Sequence, residues 1–418
     1  MRLFWSLLDL SHAFLVLLLW PLRLTTWGRA RAKFEAWQDH TVFRADWAFE
    51  VSSEGEYEQV RPWMNELLRE GRFIEVIYAS ESVDKGMLAL QKAHPTQVRL
   101  LRLPLLTYRL GDVERFVTAP HLVMCRYDFF PALMRLASRP HIKSGLVWAT
   151  FKQRRERMNN PCWRWWNKLF FAAFDWIIPA TTMDESLFKE IHPKVLSTVD
   201  FRVGQIQLRV DQRHETFLRN FPKWDQFQKI LHQYSRDRRM IIGSAWPSDL
   251  ALLNSPEIRR QIMNSELFVM VVPHKLSGEW VSQLGAYDYP VNHVTQNTAL
   301  PADNPGIWLL SLRGVLCELY AEVGKVYVGG GFERSIHSVM EPFVAGAEVW
   351  CGPKIHRSTE AELIQSVDPD HFHSFADHQK LADSLVIQIN DAQGPDQRTH
   401  WKENQIRLAR EYIQKLKD

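Results

Sequence analysis

The stretch 325-KVYVGGGFERSIHSVMEPFVAG-346 runs from an apolar segment into three glycines, then to a His, a Ser and a Glu-Pro pair. KVYV has the β-branched and aromatic content of a buried strand. Gly329, Gly330 and Gly331 allow positive φ or a close approach of backbone to a ligand. The spacing predicts a helix that starts near Ser338, with Pro342 close to its first turn. Such a start offers free N–H groups and the positive end of a dipole, which suit a phosphate. His337 and Glu341 stand four residues apart and share a face if the turn reaches back far enough. Ser338 and Glu341 also fit a capping box, which requires no ligand. A strand that ends in glycine and passes into a helix is the βα unit of a parallel sheet.

The same unit repeats on either side. FIEVIYAS, HLVMCRY and WIIPAT alternate with helix-like EQVRPWMNELLREG and SLFKEIH. A polar stretch near residues 205–235 interrupts them, and RRMIIGSAWPSD then opens a second series with LFVMVVPHKL, IWLLSL and EVWCGP. The 418 residues suit two domains of roughly 200 residues each. The expected fold is thus α/β, two parallel-sheet domains with a hinge between about 200 and 235. Ligands of open parallel sheets bind beyond the carboxyl ends of the strands, so the cleft between two such domains is the expected site. The C-terminal DQRTHWKENQIRLAREYIQKLKD reads as a polar amphipathic helix.

Other strand ends carry polar residues too. VVPHKL places His274 and Lys275 where they can meet a phosphate or carboxylate, and GSAWPSD places Ser244 beside the turn before Pro247. In the first domain VSSEGEYEQVRPWMNELL reads as strand, loop and helix. Ser53, Glu54, Gly55 and Glu56 lie at the helix start, where a carboxylate is either an acidic first turn or a general base facing the cleft. Local sequence does not choose between Glu54 and Glu56. DPDHFHSF clusters Asp370, His371 and His373, a pattern more usual in an ordinary loop than in a metal site.

Composition narrows the class. A net charge of +3 is too mild to imply nucleic acid. Four scattered cysteines, without CxxC spacing, suggest a reducing compartment and no zinc site. Seventeen tryptophans, many in the first 170 residues, point to a membrane interface. Residues 3–22, LFWSLLDLSHAFLVLLLWPL, are long enough as a helix to reach across a bilayer core, although Asp9 is costly there. Arg23, Arg29, Arg31 and Lys33 follow without an acid among them, which places the rest of the chain in the cytoplasm. A retained N-terminal membrane anchor over 1–27 is the expectation, as a marginal span or lying obliquely. KQRRERMNNPCWRWWNKLFF interleaves Lys152, Arg154, Arg155, Arg157, Arg164 and Lys168 with Trp163, Trp165 and Trp166, which suits anionic lipid head groups or single-stranded nucleic acid, and the expected anchor favours the lipid.

Taken in order, these motifs resemble a family. SSEGEYEQVRP is similar to the SVGE-type motif of the 3-deoxy-D-manno-oct-2-ulosonic acid (Kdo) transferases of lipopolysaccharide synthesis. MCRYDFFPALM resembles that family's KYEFW segment, and SGLVWATFKQRR its SAIFR-type stretch. VDFRVGQI, GSAWPSD and VVPHKL are similar to its GDTRFDRV, GSTWPED and APH segments. VGGGFERSIHSVMEPFVAG followed by CGP resembles its GGGF-x-x-GIHN-x-LEP-x-x-xG and FGP. The resemblance spans residues of about 20 to 360.

It implies a GT-B architecture, two Rossmann-like domains facing a central cleft: 28–205 for the acceptor, 206–395 for the nucleotide sugar, and a C-terminal helix, 396–418, crossing back. It implies inverting transfer of Kdo from CMP-Kdo to a lipid A precursor at the cytoplasmic face of the bacterial inner membrane, without a metal or other cofactor. The family's catalytic carboxylate falls on Glu56 and its ribose-binding Glu on Glu341. Ser244, His274, Lys275, Gly329, Gly330, Gly331, His337 and Ser338 fall on the donor side, and Ser53, Gly55, Arg126 and Asp128 on the acceptor side. The chain departs from the pattern at Ser338, where the family has Asn, at Arg126 and Asp128, and at Val315 in place of a Glu. A GT-B enzyme using another nucleotide sugar on a membrane lipid, or a non-catalytic membrane scaffold with this fold, are the competing expectations.

Overall fold

The computed structural model describes residues 2–36, 43–126, 129–151, 155–297, 300, 305–333, 335–356, 358–386 and 397–417. The chain divides into two compact units, Met1–Arg202 with Leu408–Asp418, and Val203–Arg407. Each is built on one fully parallel sheet with helical crossovers.

In the first unit, β1 (Trp47–Val51), β2 (Ile74–Tyr78), β3 (Val98–Arg102), β4 (His121–Cys125), β5 (Lys143–Ala149) and β6 (Trp176–Pro179) lie in the order β3-β2-β1-β4-β5-β6. Strand β1 is buried from end to end because it pairs with β2 on one side and β4 on the other, with helices covering both faces. Phe49, Trp63 and Val76 belong to the core on one face, and Ala48, Ile77 and Leu122 to that on the other.

In the second unit, β7 (Arg239–Ala245), β8 (Phe268–Pro273), β9 (Val291–Val294), β10 (Ile307–Leu310), β11 (Lys325–Val328), β12 (Glu348–Cys351) and β13 (Phe372–Ser374) lie in the order β13-β12-β11-β7-β8-β10-β9. KVYV is the strand β11, central and buried, as its composition predicts. The edge strands β9 and β13 carry no such apolar run. The DPDHFHSF segment, read as a loop, ends in β13, where His373 Nε2 lies 2.6 Å from Glu348 Oε1.

The helix Gln397–Lys415 belongs to both units in turn. Arg398 donates to the Ala347 carbonyl in the second, while Ala409, Tyr412 and Ile413 join a core of the first.

The anchor expected over 1–27, as a marginal span or lying obliquely, does not form a membrane-spanning helix. Among the described residues, no helix is long and apolar enough to cross a membrane. The helix Arg2–Leu18 stops ahead of Pro21, which opens a short 3-10 turn. It packs on the helix Pro131–Ala137 of the first unit. Asp9, the residue least suited to lipid, is fully buried here: it accepts from the Tyr108 hydroxyl and lies 3.1 Å from Arg135 Nε. Arg135 is held in turn by Glu114 at 2.7 Å. Trp5 and Val16 are buried on the same side, whereas Leu3, Leu7, Leu10, Phe14, Leu17 and Leu18 are exposed. The helix is therefore a part of the first unit with one apolar face uncovered.

Asp9→Ala should destabilise that unit by about 3 kcal/mol, because it removes the acceptor of a buried hydroxyl and one anionic partner of the part-buried Arg135 guanidinium. A lower denaturation midpoint and faster proteolysis within residues 2–18 are expected. An unchanged midpoint with unchanged protection would show that the ion pair does not hold the helix.

Candidate active site

In the first unit the chain leaves β1 at Val51 and enters the helix Glu54–Arg69. Ser53 caps that helix, its hydroxyl accepting from the Glu56 N–H at 3.3 Å. Glu56 is 3% exposed and bends back, so that Oε2 accepts from the Ser52 N–H at 2.6 Å. Glu54 and Gly55 are exposed. The two acidic residues that the local pattern left level are thus physically different. One is a solvated carboxylate, and the other is buried at the end of a central strand. Glu56 is also part of the N-terminal cap, so the structural and chemical readings of this turn coexist.

Sequence reading passed over the residues around it. Glu50, 1% exposed, accepts from the Ser52 hydroxyl at 2.8 Å and from the Cys125 N–H at 3.4 Å. Ser52 thereby links two carboxylates, one through its side chain and one through its backbone. Burial pushes the Cys125 thiol well up, and the charges of Glu56 and Glu50 push it the same way. Arg126 follows with φ 70°, and Trp148, in a bulge of β5, has φ 54°. A non-glycine residue with positive φ is uncommon, and two at neighbouring strand ends mark stored strain of the kind found at functional sites. The guanidinium of Arg126 lies 4.6 Å from the Trp148 ring centre and that of Arg202 4.7 Å from it. Arg202 is fixed by Asp200 at 3.0 and 2.6 Å. Trp148 was visible within SGLVWATF, but nothing in the sequence announces the bulge that turns its ring. Asp128 lies outside the described residues, as do Lys152 and Arg154.

In the second unit β7 also ends in a bulge, with Ser244 at φ 49°. The glycine triplet sits beside it for reasons of packing. A Cβ on Gly329 would come within 2.4 Å of the Ser244 carbonyl oxygen and 2.6 Å of Asp249 Oδ2. One on Gly331 would meet the Gly352 nitrogen at 2.6 Å. Gly330 has φ 90°. The close approach that these glycines allow is an approach of the unit's own backbone.

Asp249, fully buried, gathers this corner: it accepts from the N–H groups of Trp246 at 2.8 Å and Gly330 at 3.1 Å, and from the Tyr327 hydroxyl. Burial raises its carboxyl above the usual range, against the pull of those hydrogen bonds.

His274, at the end of β8, stacks on His337 with ring centres 4.2 Å apart and on Trp246 at 5.0 Å. The Trp246 indole N–H donates to His337 Nε2 at 3.1 Å. Burial, and then the neighbouring His274, bring His337 down to about 4. His274 is lowered by burial and by Lys275. Lys275 itself is exposed. So Ser244, His274, Lys275, the triplet and His337 are brought into one neighbourhood.

Ser338 and Glu341 behave otherwise. The helix begins at Met340, and the expected capping box is not formed. Glu360 takes that place, accepting from the Ser338 hydroxyl at 3.0 Å, the Val339 N–H at 3.0 Å and the Met340 N–H at 3.2 Å. The N–H groups read as free for a phosphate are therefore directed at a carboxylate of the same unit. Glu341 lies 3.5 Å from Arg209, which also grips the buried Glu318 at 3.0 and 3.1 Å. Among the described residues no group of three His, Cys, Asp or Glu is placed to hold a metal.

Residues 28–203 match the family model of the 3-deoxy-D-manno-octulosonic-acid transferases (kdotransferases). No curated protein matches the chain. Among solved structures, a UDP-GlcNAc 2-epimerase from Neisseria meningitidis is 11% identical with a TM-score of 0.52, over 87% of this chain and 94% of that one. A glycosyltransferase from Rickettsia africae ESF-5 is 9% identical with a TM-score of 0.50, over 89% and 95%. The C-terminal CMP-Kdo binding domain of WaaA from Acinetobacter baumannii is 16% identical with a TM-score of 0.34, over 50% and 99%. The first two likenesses are of fold alone, and with the two parallel sheets they make this a GT-B-like glycosyltransferase fold. The segment 28–203, which includes the buried Glu56, is thus similar to the Kdo transferases.

Proposed function

We propose that the protein transfers Kdo from CMP-Kdo to a lipid A precursor with inversion at the anomeric carbon. The observation that carries the proposal is Glu56: a buried carboxylate at a parallel-strand end, inside the segment that matches the Kdo transferases. In this reading Glu56 takes the proton from the acceptor hydroxyl. The oxygen attacks the anomeric ketose carbon as the bond from that carbon to the phosphate oxygen breaks. CMP departs with the electron pair on the opposite face. Ser52 and Ser53 keep the carboxylate oriented, and Arg126 beside Trp148 offers a cation to an acidic acceptor. The second unit holds the donor through Lys275, the two histidines and the corner at Gly329–Gly331, with Glu341 assigned to the ribose.

The acceptor is a lipid, and the exposed face of the helix Arg2–Leu18 gives the enzyme a way to lie on a membrane. Trp20, Trp27, Trp165 and Trp166 are exposed as well, and Phe4 touches Trp166 edge-on at 5.3 Å. Arg164 and Lys168 line a surface hollow with Trp165. Apolar side chains flanked by Trp and by cations suit the interface of an anionic bilayer. We assign the protein to the cytoplasmic face of the inner membrane on this basis, lying in the interface rather than spanning it.

Glu56→Gln keeps an oxygen that can accept from Ser52, so the fold should persist. Turnover with labelled CMP-Kdo and purified lipid A precursor should fall roughly 10²- to 10⁴-fold, with little change in KM for the donor. Full activity would remove Glu56 from the mechanism. Transfer from a UDP-sugar in place of CMP-Kdo would favour the competing enzyme, and no transfer from either the scaffold. The double variant Leu10→Glu and Phe14→Glu alters exposed positions only, and should abolish co-flotation with anionic vesicles while leaving the denaturation midpoint in place. Undiminished flotation would move membrane binding elsewhere on the protein.

A further inference from the structure

Trp246, His274 and His337 form a stack to which the reaction above gives no internal order. An indole N–H can only donate. At 3.1 Å from His337 Nε2 it requires a lone pair on that nitrogen. A neutral imidazole has one N–H, so its proton is then on Nδ1. We propose that Trp246 is a positioning residue: it fixes His337 as a neutral ring protonated on Nδ1, and that N–H is the hydrogen-bond donor presented to an oxygen of the nucleotide sugar. The proposal rests on the donor-side reading of this unit.

The ring has little freedom to do otherwise. His274 stacks at 4.2 Å with planes 30° apart, and the His337 backbone N–H donates to the Gly329 carbonyl at 3.4 Å. The indole is steadied by Asp249, which holds the Trp246 N–H, and by Pro247, which opens the following 3-10 turn. The neighbours His274 and Lys275 add only neutral or positive groups, so an imidazolium here would be both buried and repelled.

The neutral state has a consequence for turnover. The donor phosphate carries one negative charge as a diester and gains another as free CMP. An imidazolium would grip the product more tightly than the substrate. A neutral N–H gives direction to the contact and adds no charge to hold CMP back.

The test uses the full-length protein with 15N-labelled histidine and no substrate, so its outcome does not depend on which sugar is transferred. The His337 signals are identified by their loss in His337→Gln. At pH 7.5, Nδ1 should show the shift of a protonated ring nitrogen and Nε2 that of an unprotonated one. These shifts should persist down to pH 5.5. An Nε2–H tautomer, or protonation with a midpoint near 6.5, would overturn the proposal in the unmodified protein.

Trp246→Phe keeps an aromatic ring and removes the donor. It should move the His337 proton toward Nε2 and raise KM for CMP-Kdo about three- to tenfold. An unaltered tautomer in a folded Trp246→Phe protein would also refute it. A second readout follows from linkage. His337 binds its proton near 6.5 when unfolded and near 4 when folded, so its contribution to stability is full above 6.5 and lost as pH falls toward 4. The acid-side decline of the denaturation midpoint should be shallower in His337→Gln, and an identical decline would contradict the buried, neutral state.

Discussion

The carboxylate of Asp249 accepts hydrogen bonds from the N–H groups of Trp246 and Gly330 and from the hydroxyl of Tyr327. Those partners come from the ends of two adjacent parallel strands and from the interior of one of them. A parallel strand that stops in the middle of a sheet leaves N–H groups with no ladder to join, and water does not reach them. A buried acid is one solution, at a desolvation cost that three hydrogen bonds offset in part. The chain repeats this solution. Glu56 takes the Ser52 N–H, Glu50 the Cys125 N–H, and Glu360 the N–H groups of Val339 and Met340. The polar chemistry of both candidate half-sites is therefore built from groups that the fold itself needs at its strand ends and helix starts.

This dual use explains what was legible in the sequence. The central strands were readable because two-sided burial demands unbroken apolar runs such as KVYV and LFVMVV. The edge strands β9 and β13, short and partly polar, carry no such demand. Ser53, Gly55 and Glu56 could be found because a helix start has a sequence pattern. Glu360 could not, since it caps a helix whose start is some twenty residues earlier. Trp246 and Asp249 were in view within GSAWPSD, but their importance comes from His337 and Gly330, which only the tertiary fold brings to them. The glycine triplet was legible as a close approach, while the identity of the approaching group was not.

The spanning alternative for the N-terminal helix fails for a related reason. Hydropathy counts residues along a chain and cannot see that one face is spoken for. Asp9 looks like an anomaly in a membrane span and becomes ordinary once Tyr108 and Arg135 are seen to receive it. What remains apolar and exposed is a face, which suits contact with a surface rather than passage through it.

The helix Gln397–Lys415 carries a consequence for synthesis. The Ser197 N–H donates to the Tyr412 hydroxyl across 215 positions of sequence, and Ala409 and Ile413 complete the same core. A ribosome that has made the whole first sheet has not yet made the helix that seals one flank of it. The second unit must emerge before that flank closes. The nascent protein thus carries an open apolar seam through about half of its translation, and closing a loop of that length adds delay of its own. Order of manufacture and order of completion run in opposite directions in this molecule.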